Sequence, residues 1–432
     1  MSQFTIFPAK KPLRGTVSVP GDKSITHRAL ILGALAQGQT RITGYSEGED
    51  CLNTLRAVRE LGAVVQEIPE GLEVTGKGLW GLHEPSNVLD CGNSGTGLRL
   101  LAGVLAGQNF FSVLTGDVSL RSRPMGRVVT PLRQMGAIIS GRRGGELAPL
   151  AIQGAGLQAI RYDSPVASAQ IKSCVLLAGL FAEGTTIVKE PRKSRDHTER
   201  LFTYLGIPLQ VEDCTVSLQG RPSFDGKPIA VPGDISAAAF FMVAASIVPD
   251  SDILITGIGL NPERTGILDI LLEMGADMTL LNRREVSGEP VGDIRVRAAP
   301  LRGMTIGPER IPKTIDELPI LCVAAALADG ETHITGAQEL RVKETDRIRA
   351  MATELARLQV EVKEQPDGLI INGRSSPRGA SCQSYGDHRV VMSLAICGLA
   401  ANSPVTIDDV GCVETSFPGF QDKLLDLLTN SQ

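Results

Sequence analysis

One repeated pattern limits what this 432-residue chain can fold into. An apolar, Ala-rich run is followed by a small turn and then by a short β-branched run, and the pattern occurs six times. The copies are HRALILGALAQGQTRITG ending at Gly44, GTGLRLLAGVLAGQNFFSVLTG at Gly116 and AQIKSCVLLAGLFAEGTTIV at Val188. The others are ISAAAFFMVAASIVPDSDILITG at Gly257, ELPILCVAAALADGETHITG at Gly336 and HRVVMSLAICGLAANSPVTIDD at Asp409. Their turn residues Gly38, Gly107, Gly184, Asp250, Gly330 and Ser403 recur every 66 to 80 residues, so six units tile the chain. The Ala-rich runs are apolar around most of a helical circumference, which predicts helices buried inside a domain rather than lying on its surface.

A second helix-period segment recurs between them: TLRAVRELGA, PLRQMGA, LFTYLGI, ILLEMGA, MATELARLQV and QDKLLDLL. In four of these a glycine ends the periodic run, the usual helix stop, and strand-like residues such as AVVQ or AIIS follow. Each unit therefore reads helix, strand, helix, strand, an α/β class. Val19-Pro20-Gly21-Asp22 returns as Val231-Pro232-Gly233-Asp234, 212 residues later and close to half the length. Chance can match four common residues, but agreement with the half-length and the six-fold period favours two chain crossings between two three-unit domains. The expected division is 21–232 for one domain and 1–20 plus 233–432 for the other, with a hinge-like cleft that can close on ligand.

Length alone also favours two domains. The net charge of −5 gives no global basic field of the kind a nucleic-acid binder needs, so an anionic ligand must be held by local Lys and Arg clusters. The 47 glycines exceed the usual share of about 7% and point to tight turns or backbone close to ligands. The N-terminus lacks a signal-peptide layout and no run reaches membrane-span length, so no membrane association is expected. Eight scattered cysteines without a C-x-x-C pair read as free thiols, many buried, in a reducing compartment, which predicts a cytoplasmic protein.

The starts of the six Ala-rich helices carry the charged chemistry: GDKSITHR, CGNSGTGLR, SPVASAQIK, GDISAAAF, KTIDELP and GDHRVV. Taken singly, each reads as an ordinary cap. Lys23, Arg28 and Arg389, however, lie at helix N-termini, where cations oppose the dipole unless an anion is present. Nearby loops add Arg121-Ser-Arg123-Pro and the segment from Arg341 to Arg347. Arginine forks suit phosphate and carboxylate, and lysine suits a point contact or proton transfer. Asp316 is either a helix cap or a carboxylate that takes a proton from a hydroxyl, and Glu344 is a second candidate acid or base. His27 and His388 read as neighbours of the site rather than ligands. There is no P-loop, dinucleotide motif, nucleophile elbow or metal-spaced His/Cys pair.

At these residues the chain resembles the 5-enolpyruvylshikimate-3-phosphate synthases (3-phosphoshikimate 1-carboxyvinyltransferases). The resemblance runs from Lys11 to Phe420 through PGDKSITHR, GNSGTGLRLLAG, LRSRPMGRV, SAQIKS, SRDHTER, TIDELP, VKETDRI and GDHRVVM. It implies a two-domain inside-out α/β barrel of six β-α-β-α-β-β repeats, three per domain. It also implies transfer of the enolpyruvyl group of phosphoenolpyruvate to the 5-hydroxyl of shikimate 3-phosphate, with phosphate released, in chorismate and aromatic amino acid biosynthesis. Shikimate 3-phosphate would be held by Lys23, Ser24, Arg28, Ser168, Gln170, Ser194, Asp316 and Lys343, with Arg28 on its carboxylate and Ser168 and Ser194 on its phosphate. Phosphoenolpyruvate would be held by Lys23, Gly95, Arg123, Gln170, Arg347 and Arg389. Asp316 would act as the base, and Lys23 and Glu344 are candidates for protonating the methylene carbon. No cofactor and no metal are implied, the expected state is a monomer, and glyphosate is a candidate inhibitor.

Some positions depart from the best-known bacterial pattern. Ala169 replaces a second serine, Gly97 and Leu100 stand where Ala and Pro are common, and Thr415 stands where a lysine is often found. Gly95 is retained, which leaves room for glyphosate, so sensitivity stays open. The sister enzymes that use UDP-N-acetylglucosamine usually carry a cysteine in the loop before the R-P arginine; here that loop is Asp117-Val-Ser-Leu-Arg-Ser-Arg-Pro. A non-catalytic anion-binding repeat protein would need the basic helix starts but not Asp316.

Overall fold

The computed structural model describes residues 3–373 and 376–429. Two compact units divide the chain. The first consists of Gly21–Val231 with Glu285–Glu289; the second consists of the residues up to Pro20, Pro232–Arg284 and those from Pro290 on.

Each unit is built on three of the Ala-rich helices. Lys23–Leu35, Gly95–Ala106 and Ala169–Gly179 belong to the first, and Ile235–Ile247, Leu318–Leu327 and His388–Leu399 to the second. They are buried nearly all round, as their composition predicts: in Ile235–Ile247 every residue through Ser246 is buried. Close approach of helices requires small residues. A Cβ on Gly103 would lie 2.3 Å from the carbonyl oxygen of Cys174, so glycine lets the second and third helices of the first unit pack backbone to backbone. The other helices, such as Glu49–Glu60 and Arg347–Arg357, bury one face and expose charged residues on the opposite one.

Among the described residues the strands form six small sheets with a common arrangement. A short strand pairs in parallel with the strand that follows a buried helix, and that strand pairs antiparallel with a third. In the first unit the parallel pairs are Ile229–Ala230 with Gln37–Thr43, Leu89–Asp90 with Phe111–Thr115, and Arg161–Asp163 with Thr185–Lys189. In the second they are Arg14–Ser18 with Asp252–Gly259, Thr305–Ile306 with Glu331–Ile334, and Ser381–Cys382 with Val405–Ile407. Parallel strands need a crossover; in four of the six pairs the buried helix lies between the two strands and supplies it, while the Ile229–Ala230 and Arg14–Ser18 pairs are closed across long intervening stretches of chain. The six turns that precede these helices are therefore brought to equivalent places at strand ends. All eight cysteines are free; six are buried, and Cys214 and Cys412 are half-buried.

Candidate active site

In the first unit, three helix starts converge. Asp22 caps Lys23–Leu35 by accepting a hydrogen bond from the Ile25 amide at 2.9 Å. The turn before it needs glycine, because a Cβ on Gly21 would lie 1.9 Å from the Gly44 carbonyl oxygen. Lys23 is half-buried and ion-pairs with Asp50 at 2.7 Å. Arg28 is 3% exposed. Its Nε donates to Thr198 Oγ1 at 2.7 Å, its Nη2 to Ser173 Oγ at 2.6 Å and its Nη1 to the Ser24 carbonyl at 2.9 Å. These partners are neutral, and burial pulls the guanidinium down to about 10 from its ordinary 12.5.

His27, one residue earlier, is fully buried between Thr54 Oγ1 at 2.7 Å and Ser94 Oγ at 3.2 Å. Burial first, then Lys23 and Arg28, hold it well below the usual histidine range, so the ring is neutral and serves as a brace. Ser94 also caps the next helix by accepting from the Gly97 amide at 3.0 Å. Gly95 opens that helix beneath two arginines. A Cβ there would stand 3.0 Å from Arg99 Nη1 and 3.2 Å from Arg123 Nη1. Arg123 donates to Asn93 Oδ1 at 2.8 Å, and Arg99 to Gln170 Oε1 at 2.6 Å. Gln170 Nε2 in turn donates to Thr96 Oγ1 at 2.9 Å, which ties the second helix start to the third.

Ser168 caps Ala169–Gly179, and its amide donates to Glu190 Oε1 at 2.9 Å. The Ser194 hydroxyl donates to the same oxygen at 2.6 Å. Behind both serines, Lys172 is buried between Glu190 at 2.8 Å and Glu199 at 2.7 Å. Burial alone would lower Lys172, but the two carboxylates hold it above the ordinary lysine value; Glu199 is itself held above the ordinary glutamate value, chiefly by burial and against the pull of Lys172. Lys23, Ser24, Arg28, Gly95, Arg123, Ser168, Gln170 and Ser194 thus all belong to the first unit, at or beside its three helix starts, and are held in several hydrogen-bonded groups.

The second unit gathers Asp316, Lys343, Glu344, Arg347 and Arg389. Asp316 does not cap a helix, so that reading is corrected: it sits in a turn between Ile311–Thr314 and Leu318–Leu327, and Glu317 occupies the cap position. Its Oδ1 lies 3.7 Å from Lys343 Nζ and 3.8 Å from Arg347 Nη1. Its carbonyl accepts from Arg389 Nη1 at 2.8 Å, which fixes the turn. Arg347 is 1% exposed. It grips Asp387 through Nε at 2.8 Å and Nη2 at 3.3 Å, and Glu344 through Nη2 at 2.6 Å. Burial opposes its charge, yet Asp387 and Glu344 hold the guanidinium above its ordinary value. Asp387 also caps the helix at Arg389, accepting from its amide at 2.9 Å. Thr415 hydrogen-bonds its own turn and reaches His388 Nδ1 at 3.3 Å.

Several participants escaped sequence reasoning. Arg99 lay inside the GNSGTGLR motif without a role, and its cationic helix start was the available signal. Lys172 and Asp387 lay in the same way inside SAQIKS and GDHRVVM, whereas Arg264 and Glu190 had no local signal, because their partners are distant in the chain. Among the described residues there is no His/Cys/Asp/Glu group suited to a metal and no helix long and apolar enough to cross a membrane.

Residues 8–424 match the family model for EPSP synthase (3-phosphoshikimate 1-carboxyvinyltransferase). The chain is 55% identical over 420 residues to 3-phosphoshikimate 1-carboxyvinyltransferase of Citrifermentans bemidjiense, covering 97% of this chain and 98% of that one. It is 55% identical over 433 residues to the protein of that name from a Synechococcus, covering 99% and 97%. The solved structure of EPSP synthase from Acinetobacter baumannii superposes with a TM-score of 0.88 at 44% identity, covering 98% of each chain. With the family model spanning nearly the whole chain and relatives this similar end to end, the chain belongs to the EPSP synthase (3-phosphoshikimate 1-carboxyvinyltransferase) family.

Proposed function

We propose that the two clusters act on one pair of substrates, the first unit holding the acceptor and the second supplying the base. The reaction is the family's: the enolpyruvyl group of phosphoenolpyruvate passes to the 5-hydroxyl of shikimate 3-phosphate, and phosphate leaves. Arg28 carries this reading. It is a buried guanidinium whose hydrogen bonds go to two hydroxyls and a carbonyl, with no carboxylate at ion-pair distance among the described residues. A substrate carboxylate would complete it.

In this assignment Lys23, Ser24 and Arg28 hold shikimate 3-phosphate, Ser168 and Ser194 receive its phosphate, and Gln170 lies between the substrates. Lys343 and Asp316 complete the acceptor's surroundings. Arg123, Arg347, Arg389, Lys23, Gln170 and the space above Gly95 take phosphoenolpyruvate. Asp316 accepts the proton of the 5-hydroxyl as its oxygen bonds to C2 of phosphoenolpyruvate, and Lys23 or Glu344 delivers a proton to the methylene carbon. The tetrahedral intermediate then loses a methyl proton and its phosphate, which restores the double bond. Fixed guanidinium groups stabilise charge on the departing phosphate.

The same reading makes the six sheets and their buried helices an inside-out α/β barrel of six repeats, with domains dividing near residues 20 and 232. It assigns a cytoplasmic monomer without cofactor, and glyphosate as an inhibitor to be tested. The decisive experiment measures phosphate release from phosphoenolpyruvate with shikimate 3-phosphate or with UDP-N-acetylglucosamine. Release only with shikimate 3-phosphate, reduced at least 1,000-fold in Asp316→Ala, is expected on the scale of losing a general base and its positioning. Release only with the nucleotide sugar would overturn the acceptor, and an active Asp316→Ala would overturn the base.

A further inference from the structure

Arg264 has no counterpart among the residues assigned above. It lies in the turn after Asp252–Gly259 and is 3% exposed. Its Nη2 is anchored: it donates to Ser236 Oγ at 2.6 Å and Asp234 Oδ1 at 3.1 Å, and lies 3.9 Å from Glu317 Oε1. These partners are themselves fixed, since Asp234 caps Ile235–Ile247 through the Ser236 amide at 2.8 Å, and Ser236 donates to Glu317. The other end of the fork, Nη1, lies 3.7 Å from Asp316 Oδ2. Lys343 and Arg347 approach the opposite oxygen, Oδ1.

We propose that Arg264 is a positioning residue for Asp316, a permanent cation that fixes the direction of the carboxylate and keeps it ionised for proton acceptance. This rests on the assignment of Asp316 as base. Lys343 and Arg347 are also assigned to substrate, whereas the Nη2 of Arg264 is held by Ser236 and Asp234 of the protein. Guanidinium does not give up its proton at working pH, so Arg264 cannot deliver one. A separation of 3.7 Å is ion-pair rather than hydrogen-bond distance, so Arg264 acts on Asp316 through its charge. The other charges around this turn are Lys343, Arg347 and Arg389 on the cationic side, and Glu317, Glu344 and Asp234 on the acidic side. Lys313, on the preceding turn, is paired with Glu263 at 3.4 Å.

The test is the pH profile of kcat for Arg264→Met, Arg264→Lys and Asp316→Asn, each checked for folding by circular dichroism. Removing a cation within 4 Å of a carboxylate should move the acid limb of Arg264→Met up by about one pH unit. Its kcat should fall at least about 10-fold, with KM for both substrates within about threefold. Arg264→Lys keeps the charge but not the fork, so its acid limb should stay in place while kcat falls. A folded Arg264→Met with an unmoved limb would overturn the inference, since a purely structural role would lower stability without shifting the profile. Should Arg264→Met fail to fold, Arg264→Lys decides: unchanged kcat overturns the proposal, and reduced kcat on an unmoved limb supports it. Asp316→Asn separates the two ideas, because turnover retained there sinks the base assignment itself.

Discussion

Arg28 in the first unit and Arg347 in the second are both buried guanidinium groups at helix starts, yet they are compensated in opposite ways. Arg28 is surrounded by Thr198, Ser173 and a carbonyl, and its pKa is pulled down to about 10. Arg347 is gripped by Asp387 and Glu344, and its pKa is pushed up. The first is a cation short of an anion, which suits a binding residue. The second is a cation already paired with two carboxylates, so it organises them as well as serving the substrate proposed for it. Two arginines that look alike in sequence therefore have different duties, and their partners tell them apart.

Truncation of each should separate stability from binding. The largest effect is expected for Arg347→Met, which strands Asp387 and Glu344: a loss of about 3–5 kcal/mol in urea unfolding, along with turnover. Arg28→Met leaves Ser173 and Thr198 bonded to each other at 2.7 Å, so its stability cost should stay near 1 kcal/mol. Its acceptor affinity, read by calorimetry, should nevertheless fall by about 2–5 kcal/mol, or 30-fold and more. If Arg28→Met unfolds the protein more readily than Arg347→Met, the comparison is wrong.

The smallest effect concerns His27, the brace beneath Arg28. Its folded pKa lies below the ordinary 6.5, so below that pH the unfolded chain binds a proton that the folded chain refuses. Stability is therefore complete above the unfolded value and is lost as pH falls through it toward the folded value, at up to about 1.4 kcal/mol per pH unit. His27→Gln should flatten that slope in urea titrations between about pH 5 and 6.5. A slope unchanged by the substitution would mean that other groups set it.

The buried helices were legible because three local signals agreed: a small polar start, an apolar run and a glycine turn. The two-residue strands Leu89–Asp90, Ile229–Ala230, Thr305–Ile306 and Ser381–Cys382 were not, since two residues carry no alternation to read. The same limit governs the site. Lys23, Arg28 and Arg389 stood out because a cation at a helix start is locally anomalous. Arg264 sits in an ordinary turn, and its importance comes from Asp316, 52 positions away. Asp316 looked like a cap because its motif runs into a helix; the turn held by Arg389 could be seen only in three dimensions.

The strand pairings also set a timetable for synthesis. The stretch Gly21–Val231 closes on its own strand Ile229–Ala230, so this unit can complete nearly all of its pairing while the second half of the chain is still being made. The second unit has no such freedom. Arg14–Ser18 must wait for Asp252–Gly259, and Phe4–Ile6 for Val405–Ile407, which come after the whole first unit in the chain. Strands made before the first unit thus find their partners only after it is complete, and until then their apolar faces are left to chaperones or to chance encounters.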